Sequence, residues 1–407
     1  MNMPYATKPL AKLCAFQRGL TYSKSDEVET SGSVVLRANN VDLASNDLDL
    51  SDLRFISTEV AVPREKTVRK GCLLICTASG SKSHLGKVAY IDDDYGYAFG
   101  GFMGQITPAD GVNGRYLFHA LTSPAYKDFI ASLSDGANIN NLKFADLQRF
   151  EIPFPGLDEQ RRIVAILDEA FEAIATAKAN AEKNLQNADE LFTNLREVAL
   201  TGNIDWEEST LASLCDIKHG YAFEGAYFAE QGDHVLLTPG SFYEAGGFRN
   251  RGDKTKYFTG AIPQAFVLNE GDLLVAMTEQ AAGLLGSPLL VPQSGRYLHN
   301  QRLGRVIGKP GVPWLNEFFF HVFNLHHVRR EIHSSGSGAK VRHTSPGRIG
   351  SVRVKFPGTL DAQQAIADRL VELSLECRHL GEIYACKVNA LDKLKKSLLH
   401  QAFTGQL

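Results

Sequence analysis

An internal duplication constrains the fold of this 407-residue chain more than any other feature of its sequence. Residues about 200 positions apart match along its whole length, in a register that drifts by only a few positions. The matched segments include Leu10–Cys14 with Leu211–Cys215, Gly71–Ile75 with Gly271–Val275, Phe154–Gly156 with Phe356–Gly358, and Leu200–Gly202 with Phe403–Gly405. Chance does not hold a register over such a distance, so the chain contains two copies of one unit.

Each copy consists of an irregular domain followed by a long helix. The irregular domains, residues 1–157 and 205–360, contain short β-like runs such as Val34–Leu36 and Leu273–Val275, separated by Gly, Ser, Asn and Pro. Residues 158–204 and 361–407 have helical periodicity instead. The sequence therefore predicts an α+β protein: two mixed, β-rich domains joined by two long helices that form an antiparallel coiled coil, with a pseudo-twofold internal repeat.

The helices are predicted from a narrow apolar stripe with steps of three and four residues. In the first copy it comprises Ile163, Leu167, Ala170, Ile174, Ala177, Ala181, Leu185, Ala188, Phe192, Leu195 and Ala199. In the second copy it comprises Ile366, Leu370, Leu373, Cys377, Leu380, Tyr384, Val388, Leu391, Lys395, Leu398 and Ala402, where only Lys395 is not apolar. Each helix would span roughly 65 Å. Two equal helices with matching stripes are expected to pack on each other.

Charge and composition exclude several classes of protein. A formal net charge of -3 excludes a polybasic binder that acts through bulk charge, although basic residues cluster at 249–256 and 329–348. Six scattered cysteines argue against a disulfide scaffold. The first residues lack the pattern of a signal peptide, and no apolar run is long enough to span a bilayer. We therefore expect a cytoplasmic protein without a membrane partner.

Catalytic, cofactor and metal motifs fail when they are tested residue by residue. The segment Gly80–Lys87 resembles a phosphate-binding loop, but it has five residues between its glycines and is followed by Val88 rather than Ser or Thr. Cys72 and Cys76 have no second pair of ligands for zinc, and His321, His326, His327 and His333 have no carboxylate at a matching spacing. A stand-alone methyltransferase is opposed by the missing catalytic motifs. We expect no catalytic, cofactor-binding or metal-binding residues.

Two similar binding domains on a long spacer suit a ligand that is itself pseudo-dyadic, and duplex DNA is the outstanding case. Loops rich in small donors, amides and cations are the candidate contacts, because such groups read base edges and hold phosphates. The candidates are Ser79, Ser81, Lys82, Ser83, His84, Lys87, Asn138, Asn140, Asn141 and Lys143 in the first copy, and Thr278, Glu279, Gln280, Lys340, Arg342, His343 and Thr344 in the second. The alternative is a non-catalytic coiled-coil scaffold that presents two protein-binding domains, which the near-neutral charge favours.

Three segments resemble a known family, the specificity subunits of type I restriction–modification systems. Ile152–Val164, followed by a helix that ends at Ala199–Gly202, resembles the family's central conserved region, and Leu394–Leu407 resembles its distal conserved region. Gly71–Lys87 looks like the family's strand and Gly-Ser loop. The second helix start, Leu360–Gln364, departs from the Glu-Gln-Arg pattern of the first, so identical partner contacts at both starts are not expected.

The resemblance implies a bipartite, asymmetric target in double-stranded DNA, with one half-site read by each of the two target-recognition domains. It implies that the helices set the spacer between the half-sites. It also implies two methyltransferase subunits and restriction motor-endonuclease subunits as partners. S-adenosylmethionine, ATP and magnesium would belong to those partners, and the two half-sites should differ because the loops of the two domains differ.

Overall fold

The structure is a computed structural model that describes residues 5–134, 141–202, 205–280, 282–338 and 340–407. The chain divides into two compact units: unit 1 comprises Met1–Glu182 and Ala385–Leu407, and unit 2 comprises Lys183–Tyr384. Each unit therefore contains one irregular domain and a part of each long helix. The four-part division at residues 157/158, 204/205 and 360/361 stays a prediction.

Unit 1 is built from short strands and helices. Its strands are β1 (Thr7–Pro9), β2 (Cys14–Arg18), β3 (Glu27–Val28), β4 (Ser33–Leu36), β5 (Arg54–Ile56), β6 (Leu73–Cys76), β7 (Val88–Tyr90), β8 (Ala98–Phe99), β9 (Met103–Pro108) and β10 (Glu151–Pro153). Its helices are α1 (Gly114–Ala120), α2 (Pro124–Ser134), α3 (Phe144–Leu147) and the first part of α4 (Leu157–Thr201). The strands form sheets of order β2-β9-β6-β7 and β3-β5-β4-β8, and β1 pairs with β10.

Unit 2 repeats this design. Its strands are β11 (Glu207–Thr210), β12 (Cys215–His219), β13 (Phe228–Ala229), β14 (His234–Leu236), β15 (Tyr257–Phe258), β16 (Leu273–Ala276), β17 (Thr278–Glu279), β18 (Pro288–Leu290), β19 (Tyr297–Leu298), β20 (Leu303–Gly308), β21 (Arg342–His343) and β22 (Arg353–Phe356). Its helices are α5 (Leu211–Leu214), α6 (Asn316–Phe323), α7 (His326–Ser334), α8 (Pro346–Gly350) and α9 (Leu360–Thr404), which ends in unit 1. The orders β12-β20-β16-β18 and β13-β15-β14-β19 match those of unit 1, which confirms the duplication.

The strand β6 explains how each unit encloses its core. Successive side chains of a strand point to opposite faces of the sheet. Leu73 and Ile75 join the core that packs on the helices, whereas Leu74 and Cys76 join the core on the opposite face. The strand β16 divides in the same way. Both faces are covered, so these runs are continuously apolar rather than alternating.

Two glycines matched by the repeat occupy equivalent turns. Gly86 has φ +74° and Gly286 has φ +75°, a backbone conformation that residues with a Cβ rarely adopt. A Cβ at Gly286 would also lie 2.8 Å from a carbon of Ile332. The repeated glycine is therefore required by both conformation and packing.

The long helices pack against each other within each unit. In unit 1, Ile163 and Leu167 of α4 share a core with Leu399 and Ala402 of α9, and Lys178 Nζ lies 2.7 Å from a carboxylate oxygen of Asp392. Positions advance along α4 as they fall along α9, so the segments are antiparallel. In unit 2, the end of α4 shares a core with the start of α9 through Leu200, Ala367 and Leu370. The predicted apolar stripes are confirmed as the buried sides of both helices, and Lys395 is accommodated over the ring of Phe171 at 5.0 Å.

A buried glutamine anchors the start of each long helix. Gln160 accepts a hydrogen bond from the Asn113 backbone N–H at 2.8 Å and donates one to the Pro155 carbonyl oxygen at 2.9 Å. Gln363 makes the corresponding bonds to Leu315 and Pro357. The glutamine is thus shared by both helix starts, although the surrounding Glu-Gln-Arg pattern is not.

Candidate nucleic-acid interface

The predicted loops of unit 2 meet as a two-stranded sheet. The strand β17 pairs with β21, which places Thr278 opposite His343 and Glu279 opposite Arg342. Thr344 follows them and is buried, with its backbone N–H donating to the Met277 carbonyl oxygen at 3.0 Å. Two segments more than 60 residues apart in sequence are therefore brought together at one edge of the unit. The prediction that these loops form one surface requires such a contact.

Glu279 supports this edge from inside. Its side chain is 1% exposed, and one carboxylate oxygen accepts hydrogen bonds from the backbone N–H groups of Leu284 at 2.8 Å and Leu285 at 3.0 Å. The other oxygen lies 3.2 Å from the Arg342 guanidinium and 3.2 Å from the His333 ring. Glu279 and Arg342 thus hold the loops in place, and an enclosed carboxylate does not meet a base edge in this conformation.

A cleft of about 1200 Å³ opens beside this edge in unit 2. The exposed Gln280 and His343 line it, together with Thr278, so part of the predicted site lies in one concave surface. Six cations also line it: Arg249, Arg251, Lys254, Lys256, Arg296 and Arg302. Within the described part of the chain, none of these six forms an ion pair; the pairs of this unit involve Arg305, Lys309, His333, Arg342, Arg353 and Arg369.

None of the cleft's six cations is among the candidates predicted by sequence. The basic run at 249–256 is visible in the sequence as a cluster, but Arg296 and Arg302 join it only through the fold. Tyr243 adds an exposed aromatic ring, 52% accessible, with the Arg249 guanidinium 5.9 Å from its centre. Lys340 is exposed but is not among the residues that line the cleft.

The predicted loops of unit 1 also meet each other. The backbone of Ala78 bridges to Asn141, and the Leu142 backbone N–H donates to the Thr77 carbonyl oxygen at 2.6 Å. Around this contact the structure places the half-buried Ser79 and His84, and the exposed Ser81, Ser83, Asn141 and Lys143. Lys82 begins the short turn Lys82–His84. Asn138 and Asn140 lie outside the described residues.

Lys87 occupies a different place from the rest of this set. Its side chain is buried and its ammonium donates a hydrogen bond to the carbonyl oxygen of Val41. Burial lowers the pKa of Lys87, and burial, followed by the nearby Lys87 charge, also lowers the pKa of His84. In this conformation Lys87 supports the fold instead of facing a phosphate.

The residue just before β9 in unit 1 differs from the residue just before the equivalent strand β20 in unit 2. In unit 1 it is Phe102, whose side chain is 73% exposed and whose carbonyl oxygen accepts hydrogen bonds from Thr77 and Ala78. In unit 2 the matching residue is Arg302, whose carbonyl oxygen accepts from Met277 at 3.1 Å. Neither was a sequence-based candidate; an exposed phenylalanine beside polar loops becomes recognisable only once burial is known.

Charge also differs between the matching loops that follow β4 and β14. Residues 41–54 of unit 1 carry four aspartates and one arginine, whereas residues 242–257 of unit 2 carry four cations and two acids. Several of these aspartates are used locally: Asp42 accepts hydrogen bonds from the backbone N–H groups of Ala44 and Ser45, which lower the pKa of its carboxyl. The units therefore present opposite local charge at equivalent positions.

The groups tested above as metal ligands have structural roles instead in the described part of the chain. The described residues contain no cluster of three His, Cys, Asp or Glu side chains arranged to hold a metal ion. His321 is buried, and His333 contacts Glu279 and Arg342. Within the same described part, we find no helix with the length and apolarity needed to cross a membrane.

Comparison with known sequences identifies the relatives of both units. Residues 2–186 and 203–380 match the family model of the type I restriction modification DNA specificity domain. The chain is 32% identical over 224 residues to the type I restriction enzyme StySPI specificity subunit of Salmonella potsdam, covering 52% of this chain and 48% of that protein. It is 30% identical over 200 residues to the EcoKI specificity subunit of Escherichia coli K12, covering 48% and 42%. These alignments span about half the length of either relative.

Solved structures share the fold. A chain from a structure that addresses complex assembly and conformational transition of the type I R-M system superposes with a TM-score of 0.79 at 17% identity, covering all of both chains. The HsdS subunit from Thermoanaerobacter tengcongensis gives a TM-score of 0.65 at 16% identity, covering 100% of this chain and 98% of that one. The likeness extends over both units and both long helices.

Proposed function

Because this chain belongs to the family of type I restriction modification DNA specificity domains, we propose that it is the sequence-reading subunit of such a complex. It binds a bipartite, asymmetric sequence in double-stranded DNA, and each unit reads one half-site. The chain itself is non-catalytic.

The cleft of unit 2 is the observation that carries this proposal. Six cations without an ion pair among the described residues line a single concavity with the exposed amide of Gln280 and the ring of His343. Cations that are not neutralised by the protein bind phosphates and release counterions. Gln, His and Arg side chains can reach base edges in the major groove. The surface thus combines phosphate-binding and base-reading groups even though the whole chain is slightly acidic.

Unit 1 reads its half-site by different chemistry. Its loop at 41–54 is acidic, so phosphate contacts are fewer there, and the exposed Phe102 stands where unit 2 has Arg302. An exposed aromatic ring contacts bases through stacking or through the thymine methyl group, whereas an arginine donates hydrogen bonds to guanine. Different half-sites follow from this difference.

Other functions belong to partners. Two methyltransferase subunits dock on the chain, and motor-endonuclease subunits join them for restriction; S-adenosylmethionine, ATP and magnesium bind those partners.

The helices α4 and α9 set the spacer between the half-sites. Inserting four residues into each helix adds roughly 6 Å of helix, which approaches two base pairs of DNA. A folded, active complex that kept its original spacer would contradict this role.

The deciding experiment is methylation-site sequencing of DNA from cells that produce this chain with its methyltransferase partner. We expect one bipartite asymmetric motif. A second strain carries a chain whose residues 1–150 are replaced by those of a related protein, and only one half-site should change. A change in both half-sites would refute the model of one reader per unit.

Binding assays distinguish the alternative, a scaffold for two protein partners. DNA affinity that falls steeply with salt and survives competition by unrelated DNA supports the proposal. No binding to DNA, or weak binding that unrelated DNA displaces equally well, would favour the scaffold instead.

A further inference from the structure

The turn before β20 places Arg302 where the two predicted loops of unit 2 meet. Its carbonyl oxygen accepts a hydrogen bond at 3.1 Å from the backbone N–H of Met277, the residue just before β17. The Met277 carbonyl oxygen in turn accepts one at 3.0 Å from the backbone N–H of Thr344, the residue just after β21. The backbone N–H of Arg302 donates to the Asn300 side chain at 3.0 Å. The backbone of Arg302 is therefore fixed on the loops, and its side chain is the part that can contact a ligand.

Unit 1 builds the same junction around Phe102. The Phe102 carbonyl oxygen accepts a hydrogen bond from the Thr77 backbone N–H at 2.9 Å. The Thr77 carbonyl oxygen accepts one from the Leu142 backbone N–H at 2.6 Å. These two bonds repeat the two that link the corresponding residues of unit 2. The backbone position is therefore the same in both units, whereas the side chain on it changes from a phenylalanine to an arginine.

Both side chains at this position are accessible. Phe102 is 73% exposed. Arg302 is exposed as well, and it lines the cleft of unit 2 together with Gln280 and His343. Among the described residues, the Arg302 guanidinium has neither a hydrogen-bond partner nor an ion pair. An arginine whose donors are not used by the protein is available to a ligand in the cleft.

The other arginines of the cleft are placed differently. Arg251 packs against Gly240, and Arg249 lies beside an aromatic ring. Arg296 directly precedes β19, which belongs to the smaller sheet of the unit. Arg302 is the cleft arginine that backbone hydrogen bonds connect to both predicted loops.

Arginine and phenylalanine distinguish bases in different ways. A guanidinium donates two parallel hydrogen bonds to O6 and N7 of guanine in the major groove, whereas a phenyl ring makes apolar contact with the thymine methyl group. We propose that Arg302 is the residue through which unit 2 requires a guanine in its half-site, and that Phe102 occupies the equivalent reading position of unit 1 without requiring one. This assignment rests on the proposed function and deepens it, because it names the residue and the base.

Coupling between residue 302 and a single base pair tests the assignment. The half-site of unit 2 is the one that stays unchanged when residues 1–150 are exchanged. Each G·C pair of that half-site is replaced in turn by A·T, and the duplexes are titrated with the full chain by fluorescence anisotropy. One replacement should lower the affinity of the wild-type chain about 5- to 150-fold. The same replacement should change the affinity of Arg302→Ala little.

Two further variants sharpen this test. Arg302→Gln should shift the preference at that position from guanine to adenine, because a glutamine side chain pairs with N6 and N7 of adenine. Arg296→Ala is the matched control, since it removes the same charge from another exposed arginine of the cleft. It should weaken binding to all the duplexes by a similar factor. In the wild-type chain, 7-deazaguanine at the sensitive position, which lacks the N7 acceptor, should also weaken binding.

Equal losses in the wild-type chain and Arg302→Ala at every G·C pair would overturn the assignment while the proposed function stands. Insensitivity of the wild-type chain to 7-deazaguanine throughout the half-site would overturn it as well. If Arg302→Ala does not fold, Arg302→Gln decides, and an unchanged preference for guanine refutes the assignment. A wild-type chain that does not distinguish its motif from unrelated DNA would refute the proposed function and the assignment together.

Discussion

Neutralising the cleft cations of unit 2 should weaken DNA binding and flatten its dependence on salt. The variant is R249Q/K254Q/K256Q, in which three exposed cations of the cleft become neutral but keep a polar end. Arg251 is retained because its guanidinium packs tightly over Gly240, where a Cβ would lie 1.5 Å from Nη1. The variant therefore removes three charges and keeps Arg251, while it loses the contacts of Arg249 with the Tyr243 ring and of Lys256 with the Phe228 ring.

The expected magnitude follows from counterion release. Each phosphate contact contributes about 0.9 to the slope of log K against log salt, so three contacts contribute about 2.7. If the two affinities are equal at 1 M salt, the loss of three phosphate contacts lowers the affinity of the variant at 0.1 M salt about 500-fold, or by roughly 3.7 kcal/mol. These figures are upper values, since they assume that all three side chains contact phosphates.

The assay is fluorescence anisotropy of a labelled duplex carrying the motif, titrated with the full chain at several salt concentrations. The matched control is K218Q/R330Q/K355Q, which removes the same charge from exposed positions of unit 2 that do not line the cleft. We expect the control to keep nearly the original slope. Equal slopes for the wild-type chain and the cleft variant, or equal losses in both variants, would refute the reasoning.

Three further predictions concern unit 1. Phe102→Ala should weaken DNA binding by about 1–3 kcal/mol if the ring stacks on a base, and the same anisotropy titration measures this loss. The variant should also relax the recognised motif at one half-site only. Leu167→Ala should lower the free energy of unfolding by about 2–5 kcal/mol, measured by urea denaturation; a cost below 1 kcal/mol would contradict the buried seam. Burial would raise the pKa of Asp168, but hydrogen bonds from His119 and Arg115 outweigh it and hold that pKa at about 2. The carboxyl of Asp168 has a higher pKa in the unfolded chain, so this stabilisation is present above about pH 4 and is lost as the pH falls toward 2. Asp168→Asn should flatten that part of the curve of stability against pH. An unchanged curve would show that the contacts of Asp168 with His119 and Arg115 do not contribute to stability.

The two long helices and the duplicated architecture could be predicted from the sequence because their signals are local or periodic. An apolar stripe with steps of three and four residues specifies which side of a helix is buried, whatever covers it. Gly86 and Gly286 recur because the turn they form has the same positive φ in both copies. The Gln160 and Gln363 anchors were also present in the repeat, although their partners, about 47 residues away, were not visible without the fold.

Only the tertiary structure decided which polar side chains face outward. Lys87 and Lys143 are equivalent as sequence letters, yet the first is buried against the carbonyl oxygen of Val41 and the second is exposed. Glu279 turned inward to hold a loop, while Arg296 and Arg302 joined a basic run some 40 residues earlier to complete the cleft. Local pattern determines secondary structure because its hydrogen bonds are close in sequence. A surface site depends on burial and charge from distant segments, which exist only once the chain has folded.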